Sequence, residues 1–543
     1  MTRRPLVTLL ASALCALAAR DSFAQATTPK GDYANGPDQA LAGVFEAREK
    51  DWRDGAIVYQ VYVDRFAPPA KLEAKRALYP APKKLHPWTD LPTHGRYLPD
   101  AKVWSHEIDF WGGDLQSLRG KLDYIQGLGA DVLYLNPIDL AYTNHKYDTL
   151  DYREVSPEYG TRDDARELAR DVHARGMKIV LDGVFNHMGR NAPIFKQAES
   201  DPKSPYRNWF VFGPQYAGGA RSWALAENLP ELNLENPAVR DDLYGAHASI
   251  VRGWLRDGID GWRLDVAFDI GFRYLGELTE AAHDEKPGSL VVGEIANFPR
   301  EWYPSVDGLI HFTLRQVILG VAGGRIAPAT GQEMIARIVQ DADYDHILKS
   351  WVYLDNHDTF RLATALPDAK QRRLAQVLQF TLPGSPNLYY GTELDMPGGD
   401  DPEMRAPMRW DLAKPGNPVL EWNRRLIALH KGQRALRVGN YRAITSAKLM
   451  GFERYTDRAA DTVVVLLNPS DQAVTDTVLV ADSKLMDGSR MVNLLADKND
   501  PATPAAVQLH AALMDVTLPA HGFVVLQPDV VPPGGYTNYK RVQ

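Results

Sequence analysis

A single cysteine, Cys15, in 543 residues leaves no disulfide framework and no thiolate metal site to read. Beyond the N-terminus no run approaches the roughly 20 consecutive apolar residues that cross a bilayer, so no membrane anchor is expected. Positive charge is not in excess. Sixty-one Lys and Arg stand against 69 Asp and Glu, a net charge of −8, which argues against nucleic acid or anionic lipid as a partner. No internal repeat is present. What the chain does have is 45% hydrophobic residues, enough for a large core in two or three domains. It also has 12 Trp, 24 Tyr and 16 Phe, flat faces that suit sugar stacking and serve cores equally well.

Arg3 and Arg4 precede an apolar run at 6–19, and Ser22-Phe23-Ala24 puts small residues at −3 and −1 of a cleavage site. This predicts a signal peptide over 1–24 and a secreted or periplasmic protein, with 25–56 as an N-terminal extension.

From 57 to 437, short β-branched runs alternate with longer amphipathic ones, the pattern of parallel strands joined by crossover helices. Eight strand candidates, the barrel number, fall at 57–63, 131–135, 178–182, 259–264, 290–293, 308–312, 351–354 and 387–390. Helices are predicted at 115–128, 163–175, 238–256 and 371–380. Two connections are too long for simple loops, 64–113 and 188–235. The second holds Trp209, Phe210, Phe212, Tyr216 and Trp223, either as an aromatic wall over the barrel mouth or as a lid packing its own rings. Short strands with turns occupy 438–528, a compact antiparallel β domain, and 529–543 reads as a loose tail.

In a barrel, reactive groups sit at the C-terminal ends of strands, whose loops build the mouth. The polar clusters lie there: DGVFNH at 182–187, Arg263 and Asp265 after the fourth strand, Glu294 after the fifth, and Asp355-Asn356-His357-Asp358 after the seventh. A strand-end Asp often caps the next helix, and a lone His is usually structural. Four such clusters in order are harder to explain by capping. Asp265, Glu294 and Asp358 converge on one opening, and glycosidic cleavage needs such a set: a carboxylate on one side of an oxocarbenium-like centre and a proton donor at the leaving oxygen. Arg263, two residues before Asp265 on the same strand face, is placed to hold that carboxylate.

DGVFNH at 182–187, GWRLD at 261–265, VVGE at 291–294 and LDNHD at 354–358 make the chain resemble the α-amylase family of glycoside hydrolases. VYVDRF at 61–66, GGDL at 112–115, NHKYDT at 144–149, LPELN at 229–233 and YYGTE at 389–393 support the resemblance, which spans 57 to about 530. It implies an α/β fold: a (β/α)8 TIM barrel over 57–187 and 236–437, a small domain inserted after strand 3 at 188–235, and a C-terminal antiparallel β-sandwich at 438–528. The family pattern implies Asp265 as nucleophile, Glu294 as acid and then base, and Asp358 as the third carboxylate, gripping the hydroxyls of the sugar at the cleavage point. His187 and His357 resemble the histidines that bind that sugar, Arg263 the nucleophile's partner, and Tyr147 the aromatic platform with His145 beside it. Asp401 and Arg405 resemble a pair on the neighbouring glucose, and Asp182 and Asn186 structural residues.

Many family members carry Lys-His three and four residues after the nucleophile, near a calcium; here those positions are Phe268 and Asp269, and no obligatory metal or cofactor is expected. NHKYDT and LPELN lean towards the neopullulanase and cyclomaltodextrinase branch. The implied partner is an α-glucan, and the implied activity is retaining hydrolysis of α-1,4 bonds, with action on α-1,6 bonds left open, in maltodextrins, cyclodextrins, pullulan or starch fragments. A transglycosylase on the same site and a non-catalytic glucan-binding protein remain as alternatives.

Overall fold

The structure is a computed structural model that describes residues 42–497 and 502–530. The expected signal segment, part of the N-terminal extension and positions 531–543 lie outside the described residues. Eight parallel strands close a barrel: β1 (Val58–Val61), β2 (Val132–Leu135), β3 (Lys178–Gly183), β4 (Gly261–Leu264), β5 (Leu290–Ile295), β6 (Gly308–His311), β7 (Trp351–Tyr353) and β8 (Ser385–Tyr389). Each overlaps a strand predicted from the pattern of apolar runs. Most are buried on both faces, which is why they read as continuous apolar stretches.

Alternate side chains point into the lumen, which Val58, Val132, Tyr134, Val180, Leu290, Val292, Ile310, Trp351 and Tyr353 fill. Two residues further along each strand, the same parity delivers polar groups to the mouth: Gln60 above Val58, Asn136 above Tyr134, Asp182 above Val180, and Glu294 above Val292. On β4 the series is Gly261, Arg263, Asp265. A Cβ at Gly261 would lie 2.2 Å from the Leu290 carbonyl oxygen, so only glycine lets β4 and β5 approach here.

The outer faces pack on helices such as Arg162–Ala174, which buries Ala165, Leu168, Ala169 and Val172 and starts at a reciprocal cap between Thr161 and Asp164. Two predicted helices are interrupted. The 238–256 stretch is three pieces, Pro237–Arg240, a wide turn at Asp241–Gly245 and Ile250–Arg256, because the Ala246 N–H closes on the Asp241 carbonyl and the chain then runs extended. The 115–128 stretch breaks at Gly120, whose N–H caps Leu115–Arg119 before Leu122–Leu128 begins.

The 64–113 connection is pinned by the buried Asp64, whose carboxylate accepts from the Trp111 and Gly112 N–H groups and pairs with Arg65 at 2.7 Å. This explains the VYVDRF and GGDL segments as one structural clasp. In the 188–235 segment, Phe195, Phe210 and Phe212 pack on one another and Arg207 lies 3.8 Å from the Phe212 ring centre. The segment thus mainly packs its own rings; Trp223 alone of the five aromatics lines the mouth. The C-terminal region is a six-stranded antiparallel sheet faced by the pair Val474–Leu479 and Leu513–Leu518, with Val464, Leu466, Val478, Met514, Val516 and Leu526 between them. Its other face joins the barrel core through Phe452, Val465 and Val525, and the buried Arg454 donates to Thr381 O and Gly439 O.

His311 ends β6, accepts from Leu314 N–H as a helix cap, and is driven by burial down to about 4. An unfolded His titrates near 6.5, so between pH 6.5 and 4 the unfolded chain binds a proton that the native state refuses, and stability falls as pH falls. His311→Asn, which keeps the cap, should shrink the loss of unfolding free energy between pH 7 and pH 5 by about 2 kcal/mol, measured by urea titration at both pH values.

Candidate active site

At the mouth a cleft of about 460 Å³ is lined by Glu107, His145, Tyr147, His187, Trp223, Leu229, Asp265, Val266, Glu294, Asp358, Asp401 and Arg405. Eight of the ten residues singled out from the sequence are in that lining. The other two, Arg263 and His357, lie directly behind it, both fully buried.

Arg263 organises the floor. Its Nη1 donates to both Asp182 oxygens at 2.7 and 2.9 Å and to Asp265 Oδ1 at 3.2 Å, while Nη2 lies 2.8 Å from Glu294 Oε2. Asp182 also accepts from the Tyr134 and Tyr147 hydroxyls. Burial pushes the Asp265 carboxyl well above the usual carboxylate range, Arg263 pulls it down, and the neighbouring Glu294 and Asp182 push it up again. Three carboxylates thus surround one guanidinium, and the cluster is short of positive charge.

Immediately after Asp265, Val266 sits at φ 38°. That left-handed backbone is costly for a β-branched residue, and here it turns the chain so that the Val266 N–H donates to Glu294 Oε2 at 3.0 Å. The two carboxyls from β4 and β5 are therefore linked twice, through Arg263 and through this N–H.

Asp358 and His357 follow β7. Gln60 and Asn136 aim amide N–H groups at His357 Nδ1 (3.0 and 3.1 Å), so the proton is assigned to Nε2, which faces Asp358 Oδ2 at 2.9 Å and the Tyr147 hydroxyl at 2.6 Å. Enclosure raises the Asp358 carboxyl, but His357 and Arg405 more than offset it and hold it well below the usual range. Arg405 reaches Asp358 and Asp401 at 3.1 Å each, and its own carbonyl accepts from Arg65, so the VYVDRF clasp sets its height. Against burial, Arg405 and His106 bring Asp401 down to about 2.

Tyr147 and His145 flank Lys146, whose left-handed backbone (φ 67°) and buried ammonium, 3.4 Å from Glu158, turn the NHKYDT loop inward. The Tyr147 ring stacks on His357 at 5.4 Å and on His145 at 5.7 Å. His187 Nε2 lies 3.9 Å from Asp265 Oδ2, its ring stacks on Trp223, and burial drives it down to about 3, a neutral imidazole at neutral pH.

The Asn186 side-chain nitrogen lies against the His187 ring, and Asp269 faces the Trp223 side chain. Among the described residues no group of three or more His, Cys, Asp or Glu is arranged to hold a metal ion. Sequence reading missed Glu107, which pairs with His145 at 3.6 Å across the cleft wall. No motif marks it, because its place depends on how the long 64–113 connection folds back.

Residues 60–424 match the family model described as alpha amylase, catalytic domain. An intracellular maltogenic amylase of Bacillus subtilis (strain 168) is 34% identical over 411 residues, 73% of this chain and 64% of that relative, so the chain spans less than two thirds of that protein's length. A cyclomaltodextrinase of Geobacillus thermopakistaniensis is 30% identical over 534 residues, 92% of this chain and 82% of the relative. Among solved structures, a cyclic alpha-maltosyl-(1→6)-maltose hydrolase from Arthrobacter globiformis matches with a TM-score of 0.72 at 30% identity, over 88% of this chain and 99% of that one. The expectation of a secreted or periplasmic protein is corrected by these relatives, since two of the most similar are named intracellular maltogenic amylases. The apolar segment that prompted it lies outside the described residues, and among those described no helix is long and apolar enough to cross a membrane.

Removing the shared guanidinium leaves buried carboxylates uncompensated. Arg263→Met should cost about 3–5 kcal/mol of stability at pH 7. Arg263 lowers the already raised Asp265 carboxyl, so its removal raises that group further in the folded state, and the penalty grows as pH rises through the raised range and shrinks at pH 5. Urea unfolding of both proteins at the two pH values checks the sign.

Proposed function

The chain belongs to the α-amylase family of glycoside hydrolases, and from that premise we propose that it cleaves α-1,4 glucosidic bonds, and α-1,6 bonds in addition, in maltodextrins, cyclodextrins, pullulan or starch fragments, with retention at the anomeric carbon. Relatives named cyclomaltodextrinase and neopullulanase 2 support the substrate class. The observation that carries the chemistry is the double link between Asp265 and Glu294, through the two terminal nitrogens of Arg263 and the Val266 N–H. Retaining enzymes need their carboxyls about 5–5.5 Å apart, close enough for direct attack on the sugar.

In this reading Asp265 attacks the anomeric carbon while Glu294 passes a proton to the leaving oxygen, giving a β-linked glycosyl-enzyme. As Asp265 becomes an ester its negative charge is lost, and Glu294, now ionised, keeps Arg263 as its counter-ion. Water then attacks the same carbon from the opposite face, gives its proton to Glu294, and releases Asp265. Asp358, held ionised by His357 and Arg405, takes hydroxyls of the sugar at the cleavage point; neutral His187 offers hydrogen bonding there without adding positive charge against the oxocarbenium centre. Tyr147 presents its ring beneath that sugar, with His145 beside it, and Asp401 with Arg405 takes the next glucose.

Asp265→Asn should lower kcat on maltoheptaose by about four orders of magnitude or more while leaving the thermal unfolding midpoint within a few degrees. Glu294→Gln should lose about as much on maltoheptaose but far less on α-maltosyl fluoride, whose leaving group needs no proton. Retained turnover in Asp265→Asn would refute the assignment, and chains longer than the substrate among the wild-type products would mark transfer to a sugar acceptor.

A further inference from the structure

Within the 64–113 connection, Tyr97–Leu98 pairs antiparallel with Val103–Trp104 in a short hairpin. Tyr97 and Trp104 stand beside each other across it, ring centres 5.8 Å apart and nearly perpendicular, yet 46% and 48% exposed. Large aromatics left open to solvent as a pair suggest a surface that receives something.

The pair is held in place from three sides. The Trp104 N–H donates to Glu107 Oε2 at 2.6 Å, and the indole lies over the His106 ring at 6.1 Å with 23° between planes. At the hairpin turn, Lys102, itself left-handed at φ 55°, pairs with Glu227 of the 188–235 segment. Both anchors at the base lead into the cleft: His106 Nε2 is 3.5 Å from Asp401 Oδ2, and Glu107 is 3.6 Å from His145. Burial raises the Glu107 carboxyl, but His145 and the Trp104 N–H outweigh it and hold it below its ordinary range.

We propose that Trp104 and Tyr97 form an outlying stacking subsite for the non-reducing arm of an α-glucan, beyond the glucose taken by Asp401 and Arg405. The series Asp358, Arg405, Asp401, His106, Trp104 is an unbroken chain of contacts from the cleft to the hairpin, and the proposed course of the non-reducing arm lies along it, away from the half that departs with the oxygen protonated by Glu294. The occupant is a sugar because the rings adjoin the cleft through His106 and Glu107, which contact Asp401 and Trp104, and carry polar rims, the indole N–H and the phenol, that match a glucose face edged with hydroxyls. The inference rests on the proposed function and adds a chain-length preference to it.

The test compares maltoheptaose with maltotriose, which is too short to reach the hairpin while spanning the cleavage point. Trp104→Ala should lower the maltoheptaose-to-maltotriose ratio of kcat/KM about tenfold, Trp104→Phe should restore most of it, and Lys102→Ala, which unties the turn, should lower it less. Calorimetric binding of the two sugars to Glu294→Gln protein, with and without Trp104→Ala, should show the same change in ratio without turnover. Equal losses on both sugars, or an unchanged ratio in a folded Trp104→Ala protein, would overturn the subsite alone. Failure of the unaltered enzyme to cleave either sugar would overturn the proposed function and the subsite with it.

Discussion

A single arginine buried beneath three carboxylates is the constraint on which the mouth of this barrel depends. Arg263 has no exposure to solvent, and a guanidinium in such a place is costly unless paired. Asp182, Asp265 and Glu294 meet that need from three adjacent strands, and in doing so overshoot it. Burial and the neighbouring Glu294 and Asp182 together raise the Asp265 carboxyl against the pull of Arg263. The Arg263 contact to Glu294 is an ion pair that misses hydrogen-bond alignment, since Nη2 has no aligned partner. Glu294 is thus attracted without being locked, whereas Asp182 is gripped through both oxygens and two tyrosine hydroxyls.

Much of this was legible in the sequence because a strand obeys a period of two. Once Val180, Gly261 and Val292 are assigned to the lumen, Asp182, Arg263, Asp265 and Glu294 follow by parity at the C-terminal ends. The eight strands appear as apolar runs for a related reason: both their faces are covered. His357 and Asp358 were equally readable beyond β7, and the turn at Lys146 accounts for His145 and Tyr147 facing the same space.

What the sequence hid depends on long-range closure. Glu107 and Trp104 stand more than 40 residues past β1 in a connection with little regular structure, and their position is set by Asp64 clasping Trp111 and Gly112 and by Lys102 meeting Glu227. No local period encodes such a meeting. The break in the 238–256 helix was hidden for a different reason: apolar spacing continues through Asp241–Gly245, while the backbone takes a wider turn there. The N-terminal pattern pointed to an export that the similar proteins named intracellular do not support.

The proposed role of Asp265, poised on Arg263, is covalent capture of the sugar. A 5-fluoro-α-glucosyl fluoride should trap that ester in the intact enzyme, and mass spectrometry of the protease digest should find one added sugar on the peptide containing Asp265. A sugar found instead on the Glu294 or Asp358 peptide, or inactivation without any covalent adduct, would rule out Asp265 as the nucleophile.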